Sequence, residues 1–127
     1  VAFDSKNSNF GVISADGIFI TEDGKTWNQV KQFQNQNHPV LITVDGDILV
    51  GSSRSQNKGK NFEPFIKWES FAKLIEEQTR TAPKQIKISS LTISAENVLK
   101  VLVDTGSKKL TFASRLNRSN ENKWELY

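Results

Sequence analysis

The 127-residue chain has no cysteine and no methionine, and it has only one histidine and one tyrosine. Without cysteine it cannot form disulfides, thiolate zinc sites or a cysteine nucleophile. A single histidine cannot build a histidine-based zinc site, so we expect neither a metal nor a cofactor. No apolar run approaches the roughly 20 residues that span a bilayer, so we expect no membrane insertion. Because position 1 is valine, we expect a processed product or a fragment of a longer parent.

The length predicts one domain over residues 1–127, because domains commonly hold about 100–200 residues. Period-two alternation with turn residues between the runs predicts antiparallel strands. Asp16-Gly17 and Asp45-Gly46, which lie 29 residues apart, suggest the same turn in a repeated unit. The repeat gives blade-like units at about 1–33, 40–66 and 86–127. Between them, apolar residues at helical spacing predict an inserted α-helix around 67–80.

Basic side chains are unevenly distributed along this chain of net charge +3. Residues 98–127 carry six basic and three acidic side chains, and residues 48–62 carry no acid. Guanidinium and ammonium groups bind carboxylate, sulfate or phosphate. Alternatively, these charges form a solvated surface that keeps strand edges unpaired. The candidate ligand-binding residues are Arg54, Lys58, Lys60, Lys108, Lys109, Arg115 and Arg118.

Two polar loops follow predicted strands and end in an aromatic residue. Residues 20–27 are Ile-Thr-Glu-Asp-Gly-Lys-Thr-Trp, and residues 55–62 are Ser-Gln-Asn-Lys-Gly-Lys-Asn-Phe. Short polar side chains cap such turns, and glycine takes positive φ there. We therefore expect Asp23 and Asn57 to cap turns, with Trp27 and Phe62 largely buried.

Both loops resemble the Asp-box (BNR repeat) of sialidase-like β-propellers, usually written Ser-x-Asp-x-Gly-x-Thr-Trp. In the first loop Ile20 replaces the usual serine, and either Glu22 or Asp23 could fill the acidic position. The second loop has Asn57 for the aspartate. A third copy, residues 117–124, keeps polar turn residues and the final Trp124 but lacks the glycine of the box. The structural box residues are Thr21, Asp23, Gly24, Thr26, Trp27, Ser55, Asn57, Gly59, Phe62 and Trp124.

The resemblance implies a mainly β, antiparallel fold: a partial or oligomer-completed β-propeller with the inserted helix. Propellers need at least four blades, so we expect self-association or a missing parent segment. It implies a non-catalytic binding module in an extracellular or periplasmic location. The basic residues named above predict an anionic glycan or an acidic protein surface as its partner. A complete sialidase is excluded, because it needs about twice this length and a tyrosine nucleophile, whereas Tyr127 ends the chain.

The alternative is an α+β fold similar to small secreted ribonuclease-like toxin domains. His38 would then be the catalytic base of a metal-independent ribonuclease. The cluster Lys108, Lys109, Arg115 and Arg118 would bind RNA phosphates. Only this alternative has a nucleic-acid partner.

Overall fold

The computed structural model describes residues 1–119 and 123–127, in which the chain divides into two compact units. The N-terminal unit is Val1–Glu63 and the C-terminal unit is Pro64–Tyr127. In the described residues there are three antiparallel four-stranded sheets and one α-helix, so the mainly β class is confirmed. Each sheet is a meander in which neighbouring strands are consecutive in the chain.

The N-terminal unit holds the first sheet and nearly all of the second. The first sheet is β1 (Ala2–Phe3), β2 (Gly11–Ser14), β3 (Ile18–Thr21) and β4 (Trp27–Gln29). A 3₁₀ helix, Lys31–Phe33, follows β4. The second sheet is β5 (Val40–Ile42), β6 (Ile48–Val50), β7 (Ser53–Ser55) and β8 (Glu63–Pro64), the last at the junction of the units.

The core of the N-terminal unit is built from apolar side chains of both sheets. Ile18 and Ile20 of β3 pack in one cluster with Ile48 and Val50 of β6. Gly59, in the loop after β7, lies so close to Ile20 that a Cβ there would overlap Ile20 Cδ1. The loop between β7 and β8 is therefore pressed onto the first sheet, a contact that only glycine allows.

The repeat register predicted from the Asp-Gly pairs is wrong. Asp16-Gly17 lies between β2 and β3, whereas Asp45-Gly46 lies one turn earlier in its own sheet, between β5 and β6. The turn that corresponds to Asp16-Gly17 is Gly51-Ser52, between β6 and β7. The strand after this turn, β7, is Ser-Arg-Ser, so the second apolar run that marks a tight hairpin in a sequence is missing here.

The C-terminal unit combines α1 (Trp68–Thr79) with the third sheet. The sheet is β9 (Lys87–Ile93), β10 (Val98–Asp104), β11 (Lys109–Arg115) and β12 (Glu125–Leu126). The predicted helix is confirmed, and it ends where Arg80 adopts a left-handed conformation, φ 60°. Phe71 and Ile75 are buried, and the Phe71 ring meets Phe112 of β11 edge-on at 5.1 Å.

The apolar stripe of the helix is only partly core. Trp68, at its first position, is 51% exposed. Each segment predicted as a blade-like unit contains one of the three sheets. That the whole chain forms a single domain stays a prediction. No helix in the described part of the chain has the length and apolar character that crossing a membrane requires.

Candidate functional site

The loop between β3 and β4 is closed by its own side chains. The hydroxyl of Thr21, fully buried at the end of β3, accepts a hydrogen bond from the Gly24 N–H at 2.9 Å and donates to Asp23 Oδ1 at 3.1 Å. Asp23 Oδ1 also accepts from the N–H groups of Lys25 (2.8 Å) and Thr26 (2.7 Å). Asp23, not Glu22, is therefore the acidic residue of this turn.

The loop between β7 and β8 has the same arrangement. The fully buried Ser55 hydroxyl accepts from the Gly59 N–H at 2.8 Å and donates to Asn57 Oδ1 at 2.9 Å. Asn57 Oδ1 in turn accepts from the Asn61 N–H at 2.9 Å. In both loops a buried hydroxyl receives the glycine N–H, and an acid or amide oxygen receives the N–H just before the aromatic residue. The first loop has one residue fewer between the acid and the glycine.

The aromatic residues that follow the two loops are less buried than predicted. Trp27 and Phe62 are both half-buried. The Trp27 ring lies edge-on to Phe3, with centroids 6.3 Å apart, and the Phe62 ring lies edge-on to Phe33 at 5.1 Å. Phe62 also packs against the apolar core cluster of this unit, so both rings anchor their loops from partly exposed positions.

Of the third copy, residues 120–122 lie outside the described residues. Its final Trp124 is buried, at 8% exposure, and its ring centroid lies 5.1 Å from that of Phe71 on α1. Trp124 thus fastens the end of the chain to the helix within the C-terminal unit.

Backbone hydrogen bonds set the ionisation of the first loop. The N–H groups of Thr26 and Lys25 stabilise the Asp23 carboxylate and lower its pKa from 3.8 to about 2. The carboxylate is charged throughout the neutral range, and its oxygen is committed to the turn. A turn-capping role accounts for these contacts without any ligand.

A groove of about 500 Å³ lies between the β4 edge of the first sheet and the loop after β7. We call it the N-terminal groove. Its polar lining is mostly exposed amides and ammonium groups, with Glu22 as the acidic member. Its volume falls within the about 300–1,000 Å³ that small-ligand sites occupy. The amides and lysines are Asn28, Gln29, Gln32, Lys31, Lys58 and Lys60.

Three of the predicted ligand-binding residues come from one stretch of the chain: Arg54, Lys58 and Lys60. The two lysines line this groove, and Arg54 does not. Arg54 is buried, at 4% exposure, and its Nη2 and Nε atoms donate to Asp47 Oδ2 at 2.6 and 3.1 Å. A guanidinium held in the interior by a carboxylate is not presented to an external anion. The prediction that Arg54 binds ligand is therefore withdrawn. Lys31, in the 3₁₀ helix, also lines the groove, although it is not one of the predicted ligand-binding residues.

The second predicted basic cluster is split along β11. Lys109 and Arg115 are the first and last residues of this strand. Six steps of about 3.3 Å put roughly 20 Å between them, too far to bind one small anion together. Lys108 lines a cavity of about 350 Å³ and Arg115 a different one of about 520 Å³. Arg118 is exposed beyond the Arg115 end.

His38 is half-buried in the N-terminal unit among uncharged groups. Its Nε2 lies 2.8 Å from Gln36 Oε1, and its ring stands edge-on to Phe33 with centroids 5.6 Å apart. The space above Gly51 is occupied by the His38 ring. Burial lowers the pKa of His38, so the imidazole is neutral at pH 7. These contacts fit a packed loop residue, and the ribonuclease alternative stays an untested prediction.

The chain's single tyrosine lies beside a lysine. Lys100 Nζ stands 3.9 Å from the centre of the Tyr127 ring, and its hydrogen bond and charge lower the Tyr127 pKa. Tyr127 is exposed at the chain end. Within the described residues, no cluster of three or more histidine, aspartate or glutamate side chains could hold a metal ion.

Comparison of the chain with protein-family models, with curated proteins and with solved structures finds no match in any of the three. The resemblance to Asp-box propellers therefore stays a prediction, carried by the residues of the two loops.

Proposed function

We propose that the protein is a non-catalytic binding module of Asp-box propeller type. It recognises an anionic ligand, either an anionic glycan or an acidic protein surface, through the N-terminal groove. The observation that carries the proposal is the groove lining, in which three lysines and several amides face one glutamate. Lysine and amide donors suit carboxylate or sulfate oxygens.

The loop that carries two of these lysines is built to hold its shape. Ser55 and Asn57 hold the loop by hydrogen bonds, and Gly59 packs closely against the Ile20 side chain. Rigid presentation of charged groups lowers the entropy cost of binding. The loop is therefore a better platform for an anion than a mobile turn of the same composition.

Lys58 itself adopts a strained backbone conformation. Its φ is +61°, in the left-handed region that non-glycine residues avoid at a cost of roughly 1–2 kcal/mol. Asparagine or glycine would fill this position more easily. Strain of this kind is common where a side chain serves binding rather than stability.

The propeller part of the proposal is supported by the architecture of the sheets. A propeller blade is a four-stranded antiparallel sheet, and each sheet here is a four-stranded meander. A ring needs more than three such sheets, so we propose that a second copy or a longer parent completes it. Native mass spectrometry of the chain and of its parent tests this point. A stable monomer from a gene with these same termini would contradict it.

The binding proposal is tested by reversing the charge of the loop. Lys58→Glu/Lys60→Glu should elute from a heparin column at clearly lower salt than the parent, because exposed ion pairs are screened by salt. The matched control is Lys6→Glu/Lys87→Glu, which changes two exposed lysines by the same total charge. Equal elution of the groove variant and the control variant would contradict the proposal.

The Arg115 end of β11 is the competing surface for the same ligand class. Arg115→Glu/Arg118→Glu tests it on the same column. If this variant loses heparin binding while the Lys58→Glu/Lys60→Glu variant keeps it, the binding surface belongs to the C-terminal unit.

A further inference from the structure

The N-terminal groove runs beside a free sheet edge. In the first sheet the strand order is β1-β2-β3-β4, so among residues 1–119 and 123–127 β4 has a hydrogen-bonded neighbour strand on one side only. Asn28 and Gln29 of β4, and Val30 just after it, line the groove. The groove therefore offers main-chain groups of an edge strand as well as side chains.

The phase of the β3–β4 ladder decides which main-chain groups face the groove. The Val30 N–H donates to the Ile18 carbonyl at 2.8 Å, in the register that also pairs Phe19 with Gln29. In an antiparallel ladder, hydrogen-bonded and non-hydrogen-bonded pairs alternate. Because Val30 is bonded to β3, the N–H and C=O of Gln29 point away from β3, and so do those of Trp27.

We propose that the N-terminal groove binds an extended acidic peptide segment, which adds to β4 as a further strand. This inference rests on the proposed function and names its ligand class. Strand addition uses main-chain hydrogen bonds for affinity and alternate side chains for specificity. Glutamate or aspartate side chains of the added strand would meet Lys31, Lys58 and Lys60.

Charge argues against a second copy of this chain as the occupant. Lysines along an exposed edge discourage pairing of that edge with itself, since two copies would bring like charges together. The same lysines favour an acidic segment. The outward main-chain groups of β4 repeat at the spacing of a peptide backbone, which a saccharide does not match.

Two substitutions at Gln29 distinguish the contribution of its main-chain N–H to peptide binding from the contribution of its side chain. Gln29→Pro removes the outward N–H, and proline is tolerated on an edge strand where that N–H faces solvent. Gln29→Ala, the matched control, removes the same side chain and keeps the N–H. The probe is a fluorescein-labelled pool of short peptides in which glutamate alternates with valine, threonine or isoleucine, read by fluorescence anisotropy.

Gln29→Pro should bind the pool about threefold to tenfold more weakly than Gln29→Ala, the effect of losing one main-chain hydrogen bond, because both variants lack the same side chain. The second measurement uses peptides that are methylated on every other backbone nitrogen. There are two such alternating sets, and methylation of the set that faces β4 should weaken binding to the unmutated protein by a similar factor. This second measurement decides the matter if Gln29→Pro fails to fold. In both experiments the lysine-dependent elution from heparin should persist.

Two results overturn strand addition. The first is binding that is insensitive to methylation of either alternating set of backbone nitrogens. The second is a parent protein that binds heparin through Lys58 and Lys60 but does not bind the peptide pool, which leaves the proposed function intact and favours a glycan. If neither heparin nor the pool binds, the proposed function fails with it.

Discussion

Ser55→Ala tests both the architecture of the second loop and its link to the groove. The Ser55 hydroxyl is fully buried at the end of β7. It accepts from the Gly59 N–H at 2.8 Å and, more weakly, from the Asn57 N–H at 3.4 Å. Alanine removes the acceptor and leaves the Gly59 N–H without its partner, in a place where the loop is pressed against Ile20.

The expected loss of stability follows from that one short hydrogen bond. Leaving a buried donor unsatisfied costs about 1–3 kcal/mol. The Asn57 amide adds little, because Asn57 is exposed and its oxygen can accept from water. For domains of this size each kcal/mol lowers the Tm by roughly 2–8 °C. We therefore expect the Tm of Ser55→Ala to fall by several degrees.

The assay is thermal and urea unfolding followed by circular dichroism, together with the salt needed for elution from heparin. Ser53→Ala, on the same strand but half-buried, is the control and should change stability little. Ser55→Thr restores the hydroxyl, as Thr21 supplies it in the first loop, and should recover much of the loss. Elution should move to lower salt with Ser55→Ala, because the loop no longer holds Lys58 and Lys60 in place.

A Ser55→Ala variant as stable as the Ser53→Ala control would refute the reasoning, because water would then satisfy the Gly59 N–H. A destabilised variant with unchanged elution would separate the two claims. The Ser55 hydrogen bonds would then stabilise the protein, but they would not be needed to hold Lys58 and Lys60 in position for binding.

Four further outcomes are expected. The Asp23 pKa is lowered to about 2, so the advantage of the parent over Asp23→Asn in Tm should be constant above about pH 4 and vanish as the pH falls towards 2. Arg54→Met should cost about 3–5 kcal/mol in urea unfolding, and adding Asp47→Leu should recover part of it, because the uncompensated charge is removed. Lys58→Asn should unfold at an equal or higher temperature yet bind heparin less tightly. Purified protein should not cleave single-stranded RNA without metal; cleavage that disappears with His38→Ala would establish the ribonuclease alternative.

Local features of the chain were predictable because their causes lie within a few residues. The period-two pattern of β10 buries Leu99, Val101 and Val103 on one face. The helical spacing of Phe71 and Ile75 predicts the buried side of α1. The turn chemistry of the two loops is likewise local, since the hydrogen bonds made by the side chains of Thr21, Asp23, Ser55 and Asn57 within the loops span four residues or fewer.

The composition of the groove could be predicted only in part. Lys58 and Lys60 were identified as a basic pair, because they stand in one polar loop. Lys31 and the β4 amides come from a segment far earlier in the chain, and they reach the groove only because the loop after β7 packs against the first sheet. That packing depends on Gly59 meeting Ile20, a contact between two sheets that no local pattern encodes.

Charge and exposure at single positions were decided by the tertiary structure. The sequence places Arg54 in a basic loop, but strand pairing turns its guanidinium inward to Asp47, the residue just before β6. The sequence also places Lys109 and Arg115 in one basic cluster, but they lie at opposite ends of the extended strand β11. Periodicity and turn chemistry therefore determined the strands, the helix and the capped loops. Register and packing between distant segments determined which charges are buried, which are separated, and which meet in a groove.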